Sequence, residues 1–292
     1  MHPRPRRVAL CTCSFVGRPD AGHDAGEFMS EHIEQREIGA LGGHVIVLPT
    51  CENTQLEAKI VANQGAPHGT LVLAHHQRRG IARHGRTWYS GENGLYFSLV
   101  LRPSGLPIAH LARLPLLAGV GLWQGLQNLG VKARIKWPND ILIPHPEPGP
   151  LGPYRKVAGC LVQPLLTGQR LDAVILGIGV NVSTPKSGFP KDIRHIAGSL
   201  EDAGCPLPKE KVLGHILDGL ECWLQNVEHD ELFHRALDLV KHNSTTIGQD
   251  IEISSSGKIQ VGVAEGLDFD GALLLRKRNG DLLRILSGDL RP

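Results

Sequence analysis

The sequence predicts an α+β protein in which a mixed β-sheet flanked by helices is followed by a small all-β module. Segments with strand character alternate with helical segments over residues 43–242. Short β segments separated by turns then fill residues 243–292. A chain of 292 residues is also long enough for one large domain and one small domain.

The composition describes an ordinary globular chain. Apolar residues make up 41% and charged residues 21%, and the formal net charge is only +2. Because the whole molecule attracts nucleic acid weakly, no nucleic-acid partner is expected and any anion site must be local. The six cysteines form no CxxC pair, which argues against a zinc site and fits a reducing cytosol. No segment approaches the roughly 20 apolar residues of a membrane helix, so a cytoplasmic protein is expected.

Periodicity and turn residues predict the elements of the large domain. The segments "HVIVLP", "GTLVLAHH" and "GLYFSLVLRP" predict strands, and "NTQLEAKIVANQG" predicts a helix capped by Asn53 or Thr54. A second helix is predicted from Leu111 to Leu129. The segment "ARIKWPNDILI" predicts a strand, a turn and a strand, and "HPEPGPLGP" predicts a surface loop. Two adjacent central strands are predicted in "KVAGCLVQPLL" and "LDAVILGIGVNVS", and two amphipathic helices over 207–242.

The two ends of the chain have different patterns. Residues 1–42 are an extension of unknown role, with a short helix predicted in "AGEFMSEHIEQREIGAL". This segment shows no second helix placed for a helix-turn-helix. In the C-terminal module, Asp270-Gly271 and Asn279-Gly280 predict two-residue hairpins. So short a module holds little core alone and is expected to pack against the large domain.

The stretch "QRRGIARHGRTWYS", residues 77–90, contains four arginines, a histidine and two glycines. It follows a predicted strand directly, and open sheets bind ligands at strand ends. Arg83 and Arg86 can offer forked donors to phosphate or carboxylate oxygens, and Trp88 can stack on a purine. A solvated basic loop and a core tryptophan are the alternatives. Residues 80–86 are called the arginine loop below.

Three further segments carry candidate residues. In "KWPND", Lys136 stands close to Asp140, which could help hold a magnesium ion bridging phosphates; a plain surface turn is the alternative. Lys156 precedes a predicted strand and has small neighbours, so it is a candidate for contact with a reacting anion. The glycines of "LGIGVNVS" weaken a strand unless something needs the space. Asn181 then offers the amide donor and acceptor that can read an adenine edge.

The arginine loop, "KWPND", "KVAG" and "GIGVN", in this order, resemble the biotin–protein ligases from about Val45 to the end. The resemblance implies a class II synthetase-like, lipoate–biotin ligase fold. It divides the chain into the extension 1–42, a biotin- and ATP-binding catalytic domain 43–242 and an SH3-like β domain 243–292. It also implies a cytoplasmic ligase that joins biotin to ATP as biotinyl-AMP. The biotin then passes to a lysine of a biotin carboxyl carrier domain, forming an amide.

The resemblance implies the site residues as well. Arg83 and Lys156 would have the catalytic roles of stabilising the reacting oxygens. Biotin is expected against Asn53, Gln77, Gly80, Arg83, Lys156 and Gly159. ATP and the adenylate are expected against Arg86, Trp88, Lys136, Asp140 and Asn181. Asp140 would also be the ligand of magnesium.

Two departures from the family pattern leave alternatives open. The loop usually reads GRGRRGR, whereas this chain has "GIARHGR", with less positive charge. The Ser-Thr-Asn that usually addresses the ureido ring of biotin is matched by "CEN". There Glu52 places a carboxylate that would be costly to bury unpaired. The alternatives are a lipoate or octanoate transferase of the same fold and a non-catalytic ligand-binding paralogue. The carrier and a homodimer are also left open.

Overall fold

The computed structural model describes residues 41–225, 227–255 and 257–290. The extension up to residue 40, with most of the short helix predicted there, lies outside the described residues. In chain order the elements are β1 (His44–Cys51), α1 (Thr54–Asn63), β2 (Thr70–Gln77), β3 (Gly80–Ile81), β4 (Thr87–Trp88), β5 (Gly94–Leu101), α2 (Leu114–Asn128), β6 (Arg134–Lys136), β7 (Asp140–Gly149), β8 (Gly152–Thr167), β9 (Arg170–Asn181), α3 (Lys209–Leu224), α4 (Asp230–Asn243), β10 (Asp250–Ser255), β11 (Lys258–Leu267), β12 (Leu273–Arg276), β13 (Leu282–Ile285) and β14 (Asp289–Leu290).

The larger sheet has seven strands in the order β1-β2-β5-β9-β8-β7-β6. β1 and β2 are parallel and the other neighbours are antiparallel, which confirms a mixed sheet. Every residue of β5 is buried, and alternate residues face different cores because side chains in a strand have a period of two. Phe97 and Leu99 belong to the main core, whereas Val100 joins a smaller cluster with Ala58 and Ala62 of α1. Among the described residues, no helix is both long and apolar enough to cross a bilayer.

The predicted surface loop over "HPEPGPLGP" is wrong, because β7 and β8 continue through this segment as a hairpin. The strands pair as far as Gly149 and Gly152. β6 pairs with β7 only as far as Leu142, so the rest of β7 has a free edge. The register of the β7–β8 pairing shifts between Pro144 and Gly149, and the prolines at 146 and 148 lie in this irregular stretch. Free edges and bulges tolerate the missing N–H groups of proline.

The C-terminal sheet has five antiparallel strands in the order β13-β12-β11-β10-β14. Both predicted hairpins form, but their connections span 268–272 and 277–281 and are longer than two residues. Asp268 explains the first, since its Oδ1 accepts from the backbone N of Asp270 and of Ala272, both at 2.9 Å. β14 was not predicted.

The C-terminal sheet packs against the large domain as expected. Trp137 Nε1 donates to the Gly271 carbonyl at 3.1 Å, and Trp137 N donates to Thr246 Oγ1 at 3.1 Å. Gly271 also lies against Phe233 and Leu237 of α4. The main core is therefore continuous between the two sheets.

Helices α2 and α3 touch through their backbones. A Cβ at Gly219 of α3 would lie 2.3 Å from the Gly121 carbonyl oxygen and 2.7 Å from Gly125 N, both in α2. A Cβ at Gly125 would in turn lie 2.7 Å from Ile216 Cα. Only hydrogen atoms fit at these positions. The close approach holds the helix pair on the sheet.

Gly219→Ala is expected to lower the free energy of unfolding by roughly 1–3 kcal/mol, because the two helices must separate to admit a methyl group. Gly214→Ala is the matched control in the same helix, since a Cβ there would meet nothing within 4 Å. The control should be neutral or stabilising by about 0.5–1 kcal/mol. Urea unfolding of both variants measures the difference. Equal losses of stability would contradict the backbone contact.

Candidate active site

A cavity of about 310 Å³ opens at one end of the large sheet. The ends of β2 and β9, the β6–β7 turn, the middle of β8, the arginine loop and β14 surround it. Nine of the predicted site residues line this cavity: Gln77, Arg83, Arg86, Trp88, Lys136, Asp140, Lys156, Gly159 and Asn181.

Asn53 and Gly80 lie beside the cavity and do not line it. The Asn53 side chain accepts from Leu56 N at 2.9 Å and caps α1, so its oxygen is used within the protein. A Cβ at Gly80 would lie 2.6 Å from the Trp88 carbonyl oxygen, so this glycine lets two chain segments meet. Glu52 is exposed, and the predicted cost of burying its carboxylate does not arise. Thr54 lines the cavity in this region instead.

Gln77 connects three segments of the cavity wall. Its Oε1 accepts from Thr54 N at 2.9 Å, and its Nε2 donates to Ser90 Oγ at 2.9 Å. The hydroxyl of Thr54 in turn accepts from Ser98 Oγ at 2.9 Å. Because both ends of the buried Gln77 amide are satisfied, its position is determined by the protein. It holds the start of α1 and residue 90 against the end of β2.

An ion pair between Lys156 and Asp140 lies at the centre of the site. Lys156 Nζ is 2.6 Å from Asp140 Oδ1 and 5.1 Å from the centroid of the Trp88 ring. Burial alone would raise the pKa of Asp140, but Lys156 and Lys136 outweigh it and hold this pKa below its usual value. Gly159 leaves room for the pair, since a Cβ there would lie 3.1 Å from Asp140 Oδ1. The sequence had suggested that Lys156 precedes a strand, but it lies inside β8.

The other cations of the site contact the C-terminal segment, which sequence reasoning missed. Lys136 Nζ donates to the Leu290 carbonyl at 3.3 Å, and burial lowers the pKa of Lys136. Arg83 donates to Asn139 Oδ1 and to Ser287 Oγ, each at 3.1 Å. Burial also lowers the pKa of Arg83. Leu290 and Ser287 lie more than 150 residues further along the chain than Lys136 and Arg83, so no local pattern indicates these two contacts.

The lining contains more cations than carboxylates. Its cationic side chains are Arg83, Arg86, Lys136 and Lys156, and its carboxylates are Asp140 and Asp289. The excess of positive charge within a partly buried space suits an anionic ligand. Fixed cations of this kind stabilise negative charge better than water does, because they need not reorient.

The two glycines inside β9 make room for side chains. A Cβ at Gly177 would lie 2.5 Å from Gln55 Nε2, and one at Gly179 would lie 2.5 Å from Trp88 Cε2. Gln55 Nε2 donates to the Leu161 carbonyl at 2.8 Å, which fixes the orientation of the amide. Gln55 Oε1 and Trp88 Nε1 are buried and have no hydrogen-bond partner in the structure. Gln55 was missed in the sequence, although the glycines that accommodate it were the visible signal.

Asn181 is partly used within the fold. Its Nδ2 donates to the Gly198 carbonyl at 2.9 Å, so the segment around residue 198 is tied to the end of β9. One of the two N–H groups of this amide is thereby used within the fold. That Asn181 reads an adenine edge stays a prediction.

Comparison with known proteins gives the family. Residues 48–181 match the biotin/lipoate A/B protein ligase family, and residues 246–290 match the biotin protein ligase C terminal domain. The bifunctional ligase/repressor BirA of Bacillus spizizenii is 34% identical over 264 residues, which cover 86% of this chain and 74% of that protein. This chain belongs to the biotin protein ligase family.

Two further proteins similar to this biotin protein ligase are informative. The biotin--[acetyl-CoA-carboxylase] ligase of Paracoccus denitrificans is 30% identical over 79% of this chain and 93% of its own length. The solved structure of the Aquifex aeolicus biotin protein ligase in complex with biotin and ATP superimposes with a TM-score of 0.68 at 26% identity. That match covers 85% of this chain and 97% of the other.

The reactivity of two cysteine thiols tests whether the cavity wall is buried. Burial and the Asp140 carboxylate raise the pKa of Cys160, which lines the cavity, to about 12, whereas Cys222 on α3 is exposed. Because the thiolate is the reactive form, iodoacetamide at pH 8 should alkylate Cys222 at least roughly tenfold faster than Cys160. Peptide mapping by mass spectrometry measures both rates in one sample. Comparable rates would show that Cys160 is not buried as described.

Proposed function

We propose that this ligase activates biotin with ATP and transfers it to a lysine of a carboxylase's biotin carrier domain. The observation that carries the proposal is the convergence of Arg83, Lys136 and Lys156 on one cavity at a sheet end. The similar Aquifex aeolicus ligase was solved with biotin and ATP, and the Paracoccus denitrificans relative is named for acetyl-CoA carboxylase. These likenesses support the same substrates for this chain.

In the first step, a carboxylate oxygen of biotin attacks the α-phosphorus of ATP, and pyrophosphate leaves with the bonding electrons. Two anions must meet, so the protein has to offset their repulsion and align them. Lys156 is placed for this role. Its ammonium has three donors, of which Asp140 uses one, so the others can address the reacting carboxyl and phosphoryl oxygens. In this role Asp140 orients Lys156.

In the second step, the amine of the carrier lysine attacks the carbonyl carbon of biotinyl-AMP. An amide forms, AMP leaves, and the amine loses a proton. Until then the mixed anhydride must be kept from water. Arg83 stands over the cavity with its guanidinium held from two sides, by Asn139 and Ser287, and would cover the phosphoryl group. Trp88, stacked over Lys156, would flank the adenine.

Magnesium would reach this site with the phosphates of ATP. No group of three or more His, Cys, Asp or Glu side chains in the described ranges is placed to hold a metal ion. Magnesium in ATP sites is commonly held by one or two carboxylates together with substrate phosphates, and Asp140 fits that donor set. When bound, the ion would offset charge on the phosphates.

We place this reaction in the cytosol. Cys51, Cys160 and Cys205 are buried free thiols, which is the state expected in a reducing compartment.

Mass spectrometry of a carrier domain incubated with this ligase, biotin, ATP and magnesium tests the proposal. We expect the carrier to gain one biotin with loss of one water, at its acceptor lysine. In a parallel incubation without the carrier, the ligase should still release pyrophosphate. A protein that binds biotin without releasing pyrophosphate would be the ligand-binding paralogue, and modification by lipoate or octanoate alone would indicate the acyl transferase.

Lys156→Gln should lower the rate of adenylate formation by roughly 10²–10³, because one fixed charge at the reacting oxygens is lost. Lys211→Gln, an exposed lysine on α3, is the matched control and should keep the normal rate. Pyrophosphate release with biotin and ATP measures both. Circular dichroism confirms that each variant is folded. A near-normal rate in folded Lys156→Gln would remove this lysine from the reaction.

Substitution of Gln55 tests which ligand head group the site prefers. Its buried oxygen has no partner beside the cavity, and the ureido ring of biotin carries N–H donors that lipoyl and octanoyl chains lack. Gln55→Met should therefore raise the KM for biotin by roughly tenfold, the cost of losing one buried hydrogen bond. The preference for biotin over lipoate should fall in parallel.

The control for this prediction is Gln64→Met at the exposed C-terminal end of the same helix. Half-saturation of pyrophosphate release by biotin is measured for both variants. An unchanged KM for biotin in Gln55→Met, with normal thermal stability, would show that another group recognises the ureido ring.

A further inference from the structure

Both arginines of the arginine loop contact the last segment of the C-terminal sheet. Arg86 Nη2 lies 2.8 Å from Asp289 Oδ1. Arg83 Nη2 donates to Ser287 Oγ at 3.1 Å, across 204 residues of sequence. The loop and the C-terminal segment 287–290 thus form two adjoining walls of the cavity.

The C-terminal segment is held firmly by its own sheet. Its strand β14 pairs with β10, with Asp289 opposite Ser254. The Ser287 carbonyl accepts from Ser255 Oγ at 2.8 Å, and the Leu290 side chain is buried. A Cβ at Gly288 would lie 2.6 Å from the side chain of Ile253, so the backbone lies directly on the core. Asp289 therefore stands on a rigid support.

The arginine loop has little support of its own. Its flanks pair over only two residues each, in β3 and β4. Between them two backbone bonds close a turn whose tip is exposed, from Ala82 N to the Arg86 carbonyl at 2.8 Å and from Arg86 N to the Arg83 carbonyl at 3.2 Å. At that tip His84 has a φ of 56°, which non-glycine residues adopt at a cost. The positions of the loop arginines thus depend on partners outside the loop.

We propose that Asp289 is a positioning residue that holds Arg86, and with it the closed arginine loop, over the bound intermediate. Asp289 acts through Arg86 and not on the reacting atoms. The proposal rests on the proposed function, since the intermediate is the acyl-adenylate.

A purely electrostatic role for Asp289 predicts the opposite sign. A carboxylate in an anion site repels phosphate, so its neutralisation would strengthen nucleotide binding and slow escape of the adenylate. If Asp289 positions Arg86, neutralisation releases the loop and speeds escape. The direction of one rate constant therefore separates the two roles.

The experiment is a chase of preformed adenylate with excess unlabelled biotin and ATP. We expect Asp289→Asn to release the adenylate roughly two- to fivefold faster, the size expected for a partly exposed ion pair. Asp289→Glu should restore release to within about twofold of the wild type, because it keeps the carboxylate. Asp250→Asn, an exposed aspartate at the start of β10, is the matched control and should not change release.

A double-mutant cycle tests whether Asp289 acts through Arg86. Release from Arg86→Gln/Asp289→Asn should be no faster than release from Arg86→Gln alone. Additive effects, or unchanged or slower release from Asp289→Asn, would overturn the proposal.

Hydrogen exchange of the ligand-free protein separates failure of this proposal from failure of the proposed function. Backbone amides of residues 81–88 should exchange faster in Asp289→Asn than in the wild type and in Asp250→Asn. If the wild type makes no adenylate, the proposed function fails, and this measurement alone decides the positioning role. Unchanged exchange in Asp289→Asn would overturn it.

Discussion

The site depends on placing four cations together in a partly buried space. Like charges repel and lose solvation there, so such a cluster needs fixed carboxylates among its members. Asp140 provides the central one, 2.6 Å from Lys156. The register of the sheet produces this contact, since Asp140 pairs with Gly159 on β8, where no side chain obstructs the lysine. The remaining excess of positive charge is what an anionic substrate can neutralise.

The same constraint explains why the small C-terminal sheet belongs to the active site. It shares one core with the large domain, through contacts such as that of Trp137 with Gly271. Its last strand then presents Asp289 to Arg86 and a backbone carbonyl to Lys136. A sheet of this size holds little core alone, so packing on the large domain stabilises it and completes the cavity at the same time.

The structure shows where the two departures from the family pattern lie and what their residues contact. Glu52 points to solvent, so the "CEN" segment buries no carboxylate and instead supplies the cap of α1 through Asn53. The next residues, Thr54 and Gln55, line the cavity in that corner, and the buried side-chain oxygen of Gln55 has no hydrogen-bond partner. The altered arginine loop keeps Arg83 and Arg86, and each of them has a partner on the C-terminal segment.

The sequence alone determined most helices and strands, since periodicity and turn residues act over a few positions. Most of the site residues that it indicated line the cavity, because the motifs stand at or near strand ends and their order resembles one family. Only the tertiary structure decided that the glycines of β9 admit Gln55 and Trp88 and that Asp289 meets Arg86. These contacts join residues far apart in the chain. They depend on how the sheets and helices pack, which no local pattern encodes.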